Sequence, residues 1–304
     1  MAIILPVYNA ECYIEDCLNS ILAQTYSNWT AYCVDDGSND RSPELLEDFA
    51  RKDKRFKVFH IPNQGAANAR NFALEKLENE EWISFVDADD YIAPTMYETI
   101  MDAIGNNKVD YVRLFCQHTP LRYSQVDFEK KEVSSAIKIV STEDYFLNES
   151  VGGYIANLFI KSDIVRNNKV RLVSKMWVLE DQVFSITCAT FSKSIMILEN
   201  PRNYYYYSGN SSSITKNHKD SSDDIIRCIN YVYEGFCNRT SIKVLNEYFY
   251  KKFLPIKIDT LLGQRLHYRS SITEKFNQYI KINFWNLNNK TKIKFLLVKL
   301  MRLM

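Results

Sequence analysis

Along the first hundred residues, apolar positions alternate between two rhythms. Ile3 to Val7 is apolar without a break, as in a strand covered on both faces, and Ile14, Cys17, Leu18, Ile21 and Leu22 then recur at helical spacing. The pair of patterns repeats. Tyr32-Cys33-Val34 predicts a second strand, and a helix from about Ser42, with Pro43 in its first turn, buries Leu45, Leu46 and Phe49. Val58 to Ile61 predicts a third strand, residues from about Gly65 to Leu77 a helix, and Trp82 to Val86 a fourth strand. Pro94 opens a helix with Tyr97, Ile100, Met101 and Ile104 on its buried stripe, and Tyr111 to Phe115 is a fifth strand. Strands separated by single helices require crossover connections, so the pattern predicts an α/β fold: a parallel sheet with helices on both faces.

From about residue 116 to 215 the alternation breaks into shorter pieces, among them a strand from Ile155 to Ile160 and a helix beginning near Glu180. After about Ser221, long stretches rich in Lys, Asn, Tyr, Ile and Phe contain little turn chemistry and read as helical. The expected division is a domain over residues 1–218, with halves at about 1–115 and 116–218, followed by a smaller, mainly helical region over 219–304.

Composition narrows the class. With 46% hydrophobic and 25% charged residues the chain has globular proportions, and its net charge of +1 gives no reason to expect a nucleic-acid partner. The seven cysteines are odd in number and lack Cys-x-x-Cys spacing, which favours a reducing compartment over a disulfide framework or a zinc site. No basic leader precedes the apolar run Ala2 to Val7, and no run of about 18 apolar residues follows, so a cytoplasmic protein is expected.

In open parallel sheets ligands bind beyond the carboxyl ends of the strands, and the acidic clusters fall there. Asp87, Asp89 and Asp90 follow the fourth strand within one tight turn, where carboxylates repel one another unless a cation compensates. Hard oxygen donors of this kind suit Mn2+ or Mg2+ carrying substrate phosphates. The plain alternative is a solvated turn with Asp90 or Thr95 capping the next helix. Asp35-Asp36-Gly37-Ser38 ends the second strand and reads equally as an Asx turn or as acceptors for a base and a ribose. Asn63 to Asn71 opens a helix with small residues that admit a ligand to the backbone, and Arg70 offers a cation to a diphosphate or to a loop carboxylate.

Pro6-Val7-Tyr8-Asn9, Asp35-Asp36-Gly37-Ser38, Gly65-Ala66-Ala67-Asn68-Ala69-Arg70-Asn71 and Phe85-Val86-Asp87-Ala88-Asp89-Asp90 together resemble the ordered signatures of family 2 glycosyltransferases with the GT-A fold. The resemblance covers roughly residues 2–115 and continues more weakly to Glu180-Asp181 and to Tyr204 to Tyr207. It implies a Rossmann-like, mostly parallel sheet and an inverting, metal-dependent transferase acting on a nucleotide diphosphate-sugar, UDP-linked by preference. Donor contacts would be Pro6, Tyr8, Asp35 or Asp36, Arg70 and Asp87, with Asp89 on the metal–diphosphate. Glu180-Asp181 resembles the family's Glu-Asp motif, which makes Asp181 the general base; Trp177 and Glu180 would line the acceptor pocket, a buried core Trp being the alternative. One departure stands out. Relatives often carry a basic residue after the tyrosine run, where this chain has Ser208-Gly209; Arg202, Lys216 or His218 are candidate substitutes, a donor loop that closes differently being the alternative.

A nicotinamide enzyme would want Gly-x-Gly-x-x-Gly where Pro6-Val7-Tyr8-Asn9 stands. A non-catalytic sugar- or nucleotide-binding module derived from a transferase is the alternative of a different class. The acceptor implied by the resemblance is a glycan, glycolipid or glycoprotein of bacterial surface-glycan synthesis. Lys290, Lys292, Lys294, Lys299 and Arg302 interleave with Ile293, Phe295, Leu296, Leu297 and Leu300, which suits either a helix lying on the inner face of the membrane or a contact between subunits of a homo-oligomer.

Overall fold

In the computed structural model, residues 1–105, 107–128, 136–151, 153–199, 204–209, 221–264 and Lys292 are described. The terminal helix expected from about residue 290, and the candidate cations Arg202, Lys216 and His218, lie outside this set, apart from Lys292 itself. The chain forms two compact units, Met1–Val140 with Tyr154–Lys175 and Ser192–Ser211, and Ser141–Gly153 with Met176–Phe191 and Ser212–Met304.

The first unit opens with the expected alternation: β1 (Ala2–Val7), α1 (Ile14–Leu22), β2 (Thr30–Asp35), α2 (Ser42–Lys52), β3 (Phe56–His60), α3 (Ala66–Lys76) and β4 (Trp82–Phe85). After the short β5 (Tyr91–Ile92) come α4 (Met96–Ile104), β6 (Tyr111–Arg113), β7 (Cys116–Thr119) and β8 (Ala136–Ser141). Later segments add β9 (Leu158–Lys161), β10 (Ser194–Glu199) and β11 (Tyr204–Tyr207). Eight strands share one sheet in the order β3-β2-β1-β4-β9-β6-β10-β8, and β5-β11-β7 form a second, smaller sheet.

The sheet is mostly parallel. β1 pairs in parallel with both β2 and β4, and β2 with β3. β9 departs from this, running antiparallel between β4 and β6. The strand expected from Ile155 also starts later, because residues Ile155–Asn157 make one 3-10 turn first. A four-residue apolar strand has the same hydrophobic signature in either direction, so its neighbours in space decide its orientation.

Burial follows the pattern that predicted the strands. Ala2 to Leu5 of β1 are fully buried, as expected of a strand covered on both faces. In α3 the buried positions include Ala67, Ala69 and Ala73, whose small side chains let the helix pack close to β1 and β2. Just before β2, Trp29 packs edge-on against Phe56 of β3 at 5.3 Å, with the Arg55 guanidinium 3.9 Å from the Trp29 ring.

The second unit is helical among its described residues: α5 (Thr142–Asn148), α7 (Glu180–Phe191) and α8 (Ser222–Arg239), with α6 (Ser162–Asn167) belonging to the first unit. A further helical run comprises Ile242–Val244, a π-helical stretch over Leu245–Phe253, and Leu254–Gln264. Its core is aromatic, with Phe146 against Phe236 at 4.8 Å and Tyr248 at 5.1 Å. Among the described residues no helix is long and apolar enough to cross a membrane.

Candidate functional site

Parallel pairing puts the carboxyl ends of β1, β2 and β3 level, with Val7 opposite Asp35 and Asp35 opposite His60. β4 flanks β1 on the other side, Ile4 pairing with Phe85, so the chain leaves β4 for the Asp87–Asp90 turn along the same edge. The two acidic motifs therefore share one rim of the sheet.

The loops after β1 and β2 are stitched together. Ser38 Oγ accepts the Asn9 N–H at 3.0 Å, and Asn9 Oδ1 accepts the Asn39 N–H at 2.8 Å. Ser42 Oγ accepts from Ala10 at 2.8 Å, Asp40 from Glu11 at 3.0 Å, and Glu11 returns the contact by accepting from Arg41 at 3.0 Å. Asn9 sits at φ 47°, a left-handed conformation that Asn tolerates better than most residues. Of the expected donor contacts on this loop, Pro6 is half-buried in β1 and Tyr8 is exposed.

Asp35 and Asp36 are both buried, and their oxygens hold the rim in shape. Asp35 accepts the Ser38 N–H at 3.0 Å, the Asx turn anticipated from composition, and its other oxygen meets His60 Nδ1 at 3.0 Å. Asp36 accepts the N–H groups of Gln64 at 2.8 Å and Gly65 at 2.7 Å, which fixes the entry to α3. Burial raises the Asp36 carboxyl above its ordinary value, and the two N–H donors offset part of that rise. Gly37 lies between these motifs at φ 71°, and a Cβ there would come within 2.9 Å of the Asn63 nitrogen.

The three carboxylates after β4 have separate environments. Asp87 Oδ1 accepts from Arg70 Nη2 at 2.6 Å, and the Arg70 side chain is 6% exposed. Arg70 thus takes the structural ion pair that was one of its two readings, while Asp87 stays part-exposed at the rim. Asp90 is buried and does not cap α4, whose N-cap is Thr95 without a side-chain cap bond. Instead Asp90 Oδ2 accepts the Tyr204 hydroxyl at 2.8 Å and Oδ1 accepts the Tyr207 N–H at 2.9 Å. Tyr204 Oη in turn accepts the Asp87 N–H at 3.1 Å, so the tyrosine run clamps the acidic turn from both ends. Burial, reinforced by the neighbouring Asp87 and Asp89, pushes the Asp90 carboxyl well above the usual carboxylate range.

Asp89 is the remaining member, half-buried in a narrow cleft lined also by Tyr13, Asp16, Tyr91, Arg122 and Tyr207. Among the described residues no three His, Cys, Asp or Glu side chains gather into a metal cage. One or two carboxylates beside substrate phosphates is nevertheless the arrangement in which Mn2+ and Mg2+ are commonly held, and a hard oxygen donor at Asp89 fits it. Arg122 is a residue that sequence reasoning missed. It lies in a polar stretch without periodicity, and only the pairing of β5, β11 and β7 brings its loop beside Asp89.

Glu180 and Asp181 form the first turn of α7, in the second unit, where the positive end of the helix dipole favours carboxylates. The approach to them is bent: Lys175 and Leu179 have φ of 57° and 70°, which non-glycine residues seldom adopt. Asp224, 5% exposed in the first turn of α8, accepts the N–H groups of Trp177 and Val178 through a single oxygen at 2.8 and 3.2 Å. The Trp177 side chain is 57% exposed and not the buried core Trp of the alternative reading.

The family model described as Glycosyl transferase family 2 matches residues 2–160. An uncharacterized glycosyltransferase of Bacillus subtilis, EpsJ, is 28% identical over 225 residues, which span 71% of this chain and 63% of that relative's length. The structure of S. aureus TarS 1–349 in complex with UDP-GlcNAc superposes with a TM-score of 0.77 at 18% identity, covering 99% of this chain and 87% of that one. A mannosyltransferase from Pyrobaculum calidifontis, in complex with GDP-Man and Mn2+, is more distant in fold, with a TM-score of 0.55 at 14% identity and coverage of 99% and 86%.

Proposed function

The chain belongs to glycosyl transferase family 2, and from that premise we propose that it transfers a sugar from a nucleotide diphosphate-sugar, a UDP-sugar by preference, to a hydroxyl of a glycan, glycolipid or glycoprotein, inverting the anomeric carbon. The observation that carries this reading is the gathering of Asp35, Asp36, Arg70 and the Asp87–Asp90 turn on one rim of the GT-A sheet. Asp36 holds the start of α3 and Arg70 holds Asp87, so the rim has its shape before a donor arrives. Tyr8, Pro6 and the rim carboxylates then face the base and ribose, with Asp87 closest to the ribose.

Asp89 is the residue that would hold Mn2+ or Mg2+ against the diphosphate. A bound divalent cation there supplies charge neutralisation for the departing nucleoside diphosphate. The acceptor hydroxyl attacks the face of the anomeric carbon opposite that leaving group, and Asp181 takes its proton. The leaving group departs as an anion, so no second carboxylic acid is needed, unlike in glycosidases. Trp177, exposed beside this helix start, offers an aromatic face for an acceptor sugar.

The test is release of UDP, GDP or dTDP from a panel of nucleotide sugars, with and without Mn2+. Metal-stimulated release from a UDP-sugar supports the reading. Tight donor binding with no turnover under any acceptor or metal condition would instead favour a non-catalytic binding module.

A further inference from the structure

We propose that Arg122 is a cation that receives the distal phosphate of the donor diphosphate, in a chain that has Ser208-Gly209 where relatives often carry a basic residue directly after the tyrosine run. The inference rests on the donor reading above and deepens it. Charge distribution at the rim motivates it. Arg70 is committed to Asp87, and Asp90 is clamped by Tyr204 and the Tyr207 N–H. A departing nucleoside diphosphate carries more negative charge than a single divalent ion offsets, and among the described residues the basic side chain lining the Asp89 cleft is Arg122.

Its setting is built rather than accidental. Tyr91, the residue after Asp90, donates its hydroxyl to the carbonyl of Leu121 at 2.8 Å, tying the Arg122 loop to the acidic turn. Leu121 N–H donates to Thr119 Oγ1 at 3.1 Å, and the Arg122 N–H to Gln125 Oε1 at 2.8 Å. The guanidinium lies 5.4 Å from the Tyr13 ring and 5.6 Å from the Tyr207 ring, and its Nε donates to Asp16 at 2.5 Å. An Arg side chain presents five N–H donors. Asp16 and the two rings orient the planar group through one of them, so the forked pair of terminal nitrogens can meet phosphate oxygens, as Arg does well. A purely structural Asp16–Arg122 pair, joining α1 to the loop after β7, is the competing account.

Titration calorimetry with Mn2+ separates the two. The nucleoside diphosphate among UDP, GDP and dTDP that binds the wild type best, and its matching monophosphate, are titrated into wild type, Arg122→Gln, Arg122→Lys and Asp16→Asn. Arg122→Gln should weaken the diphosphate about 10-fold or more while the monophosphate changes less than about twofold, as expected for losing a charge-assisted contact to one phosphate. Arg122→Lys should recover part of that loss, and Asp16→Asn should keep diphosphate affinity within a few-fold. Equal weakening of both nucleotides by Arg122→Gln, no weakening of either, or an Asp16→Asn loss as large as that of Arg122→Gln would overturn the assignment. If the wild type binds no nucleoside diphosphate, the donor reading itself fails and this inference falls with it.

Discussion

The carboxylate of Asp224 accepts the backbone N–H of Trp177 at 2.8 Å, although the two residues are 47 positions apart. The bond ties the first turn of α8 to the loop that turns, through Leu179 at φ 70°, into Glu180 and Asp181. A helix that carries no family motif thereby fixes the backbone leading to the proposed base. Replacing Asp224 by Ala removes the acceptor of two part-buried N–H groups, a loss of about 1 kcal/mol. We expect kcat to fall several-fold with donor affinity nearly unchanged, and thermal unfolding to report the stability cost. An unchanged kcat alongside a lowered Tm would reduce Asp224 to a packing residue.

Asp181 itself is predicted to act in the transition state. Asp181→Asn should lower kcat by about 100-fold or more, the scale of general-base catalysis, and leave the donor Kd close to wild type. Steady-state kinetics beside equilibrium titration makes the comparison. Transfer at the wild-type rate would move the role to Glu180.

At Asp89 the expected effect is on binding. Asp89→Asn should weaken donor binding in the presence of Mn2+ by at least the ~10–100-fold that even outer partners of metal ligands carry. Donor binding measured without metal should change far less. Metal-stimulated turnover persisting at the wild-type level in this variant would refute the assignment.

Gly37 tests the rim without touching the chemistry. At φ 71° and with a Cβ destined for 2.9 Å from the Asn63 nitrogen, Gly37→Ala combines a left-handed backbone with a clash against main chain. A destabilisation of about 2 kcal/mol or more is expected, read from denaturant midpoints at constant m-value. A midpoint within error of wild type would show that the loop relaxes freely.

His60 gives the pH dependence. The hydrogen bond to Asp35 raises its pKa above the ordinary 6.5, burial opposes the rise, and Glu47 adds to it. A histidine with a raised folded pKa stabilises the fold fully below its unfolded value, and that contribution is lost as pH climbs through the folded value. Relative to His60→Gln, the wild type should therefore hold its advantage in Tm below about pH 6.5 and lose it progressively above. The ring is 45% exposed, so solvent screening keeps the effect small. A gap that widens with rising pH would reverse the sign and exclude this mechanism.

Much of the first unit was legible in the chain. The strand–helix alternation through β4 and the two carboxylate clusters follow from local patterning, because β1, β2 and β4 are apolar, buried strands and turn-forming residues follow β2 and β4. What was not legible depends on distant partners. The direction of β9 leaves no mark in four apolar residues. Capping by Asp90 or Thr95 was the plain alternative to a cation-binding turn, and the clamp on Asp90 comes from tyrosines 114 and 117 positions away. Arg122 and Asp224 carry no signal at all until the fold gives them neighbours.

The cross-stitching of the loops after β1 and β2 has a kinetic meaning. Five bonds that interleave residues 9 to 11 with residues 38 to 42 make it hard for either loop to open alone. Amide exchange across both segments should then proceed by one shared opening rather than two independent ones. A donor meeting such a rim loses little conformational entropy to loop ordering, so association should need no slow rearrangement of these loops. A substitution at Ser38 or Glu11, whether or not the side chain meets the nucleotide, would reintroduce that motion and appear as slower capture of the donor.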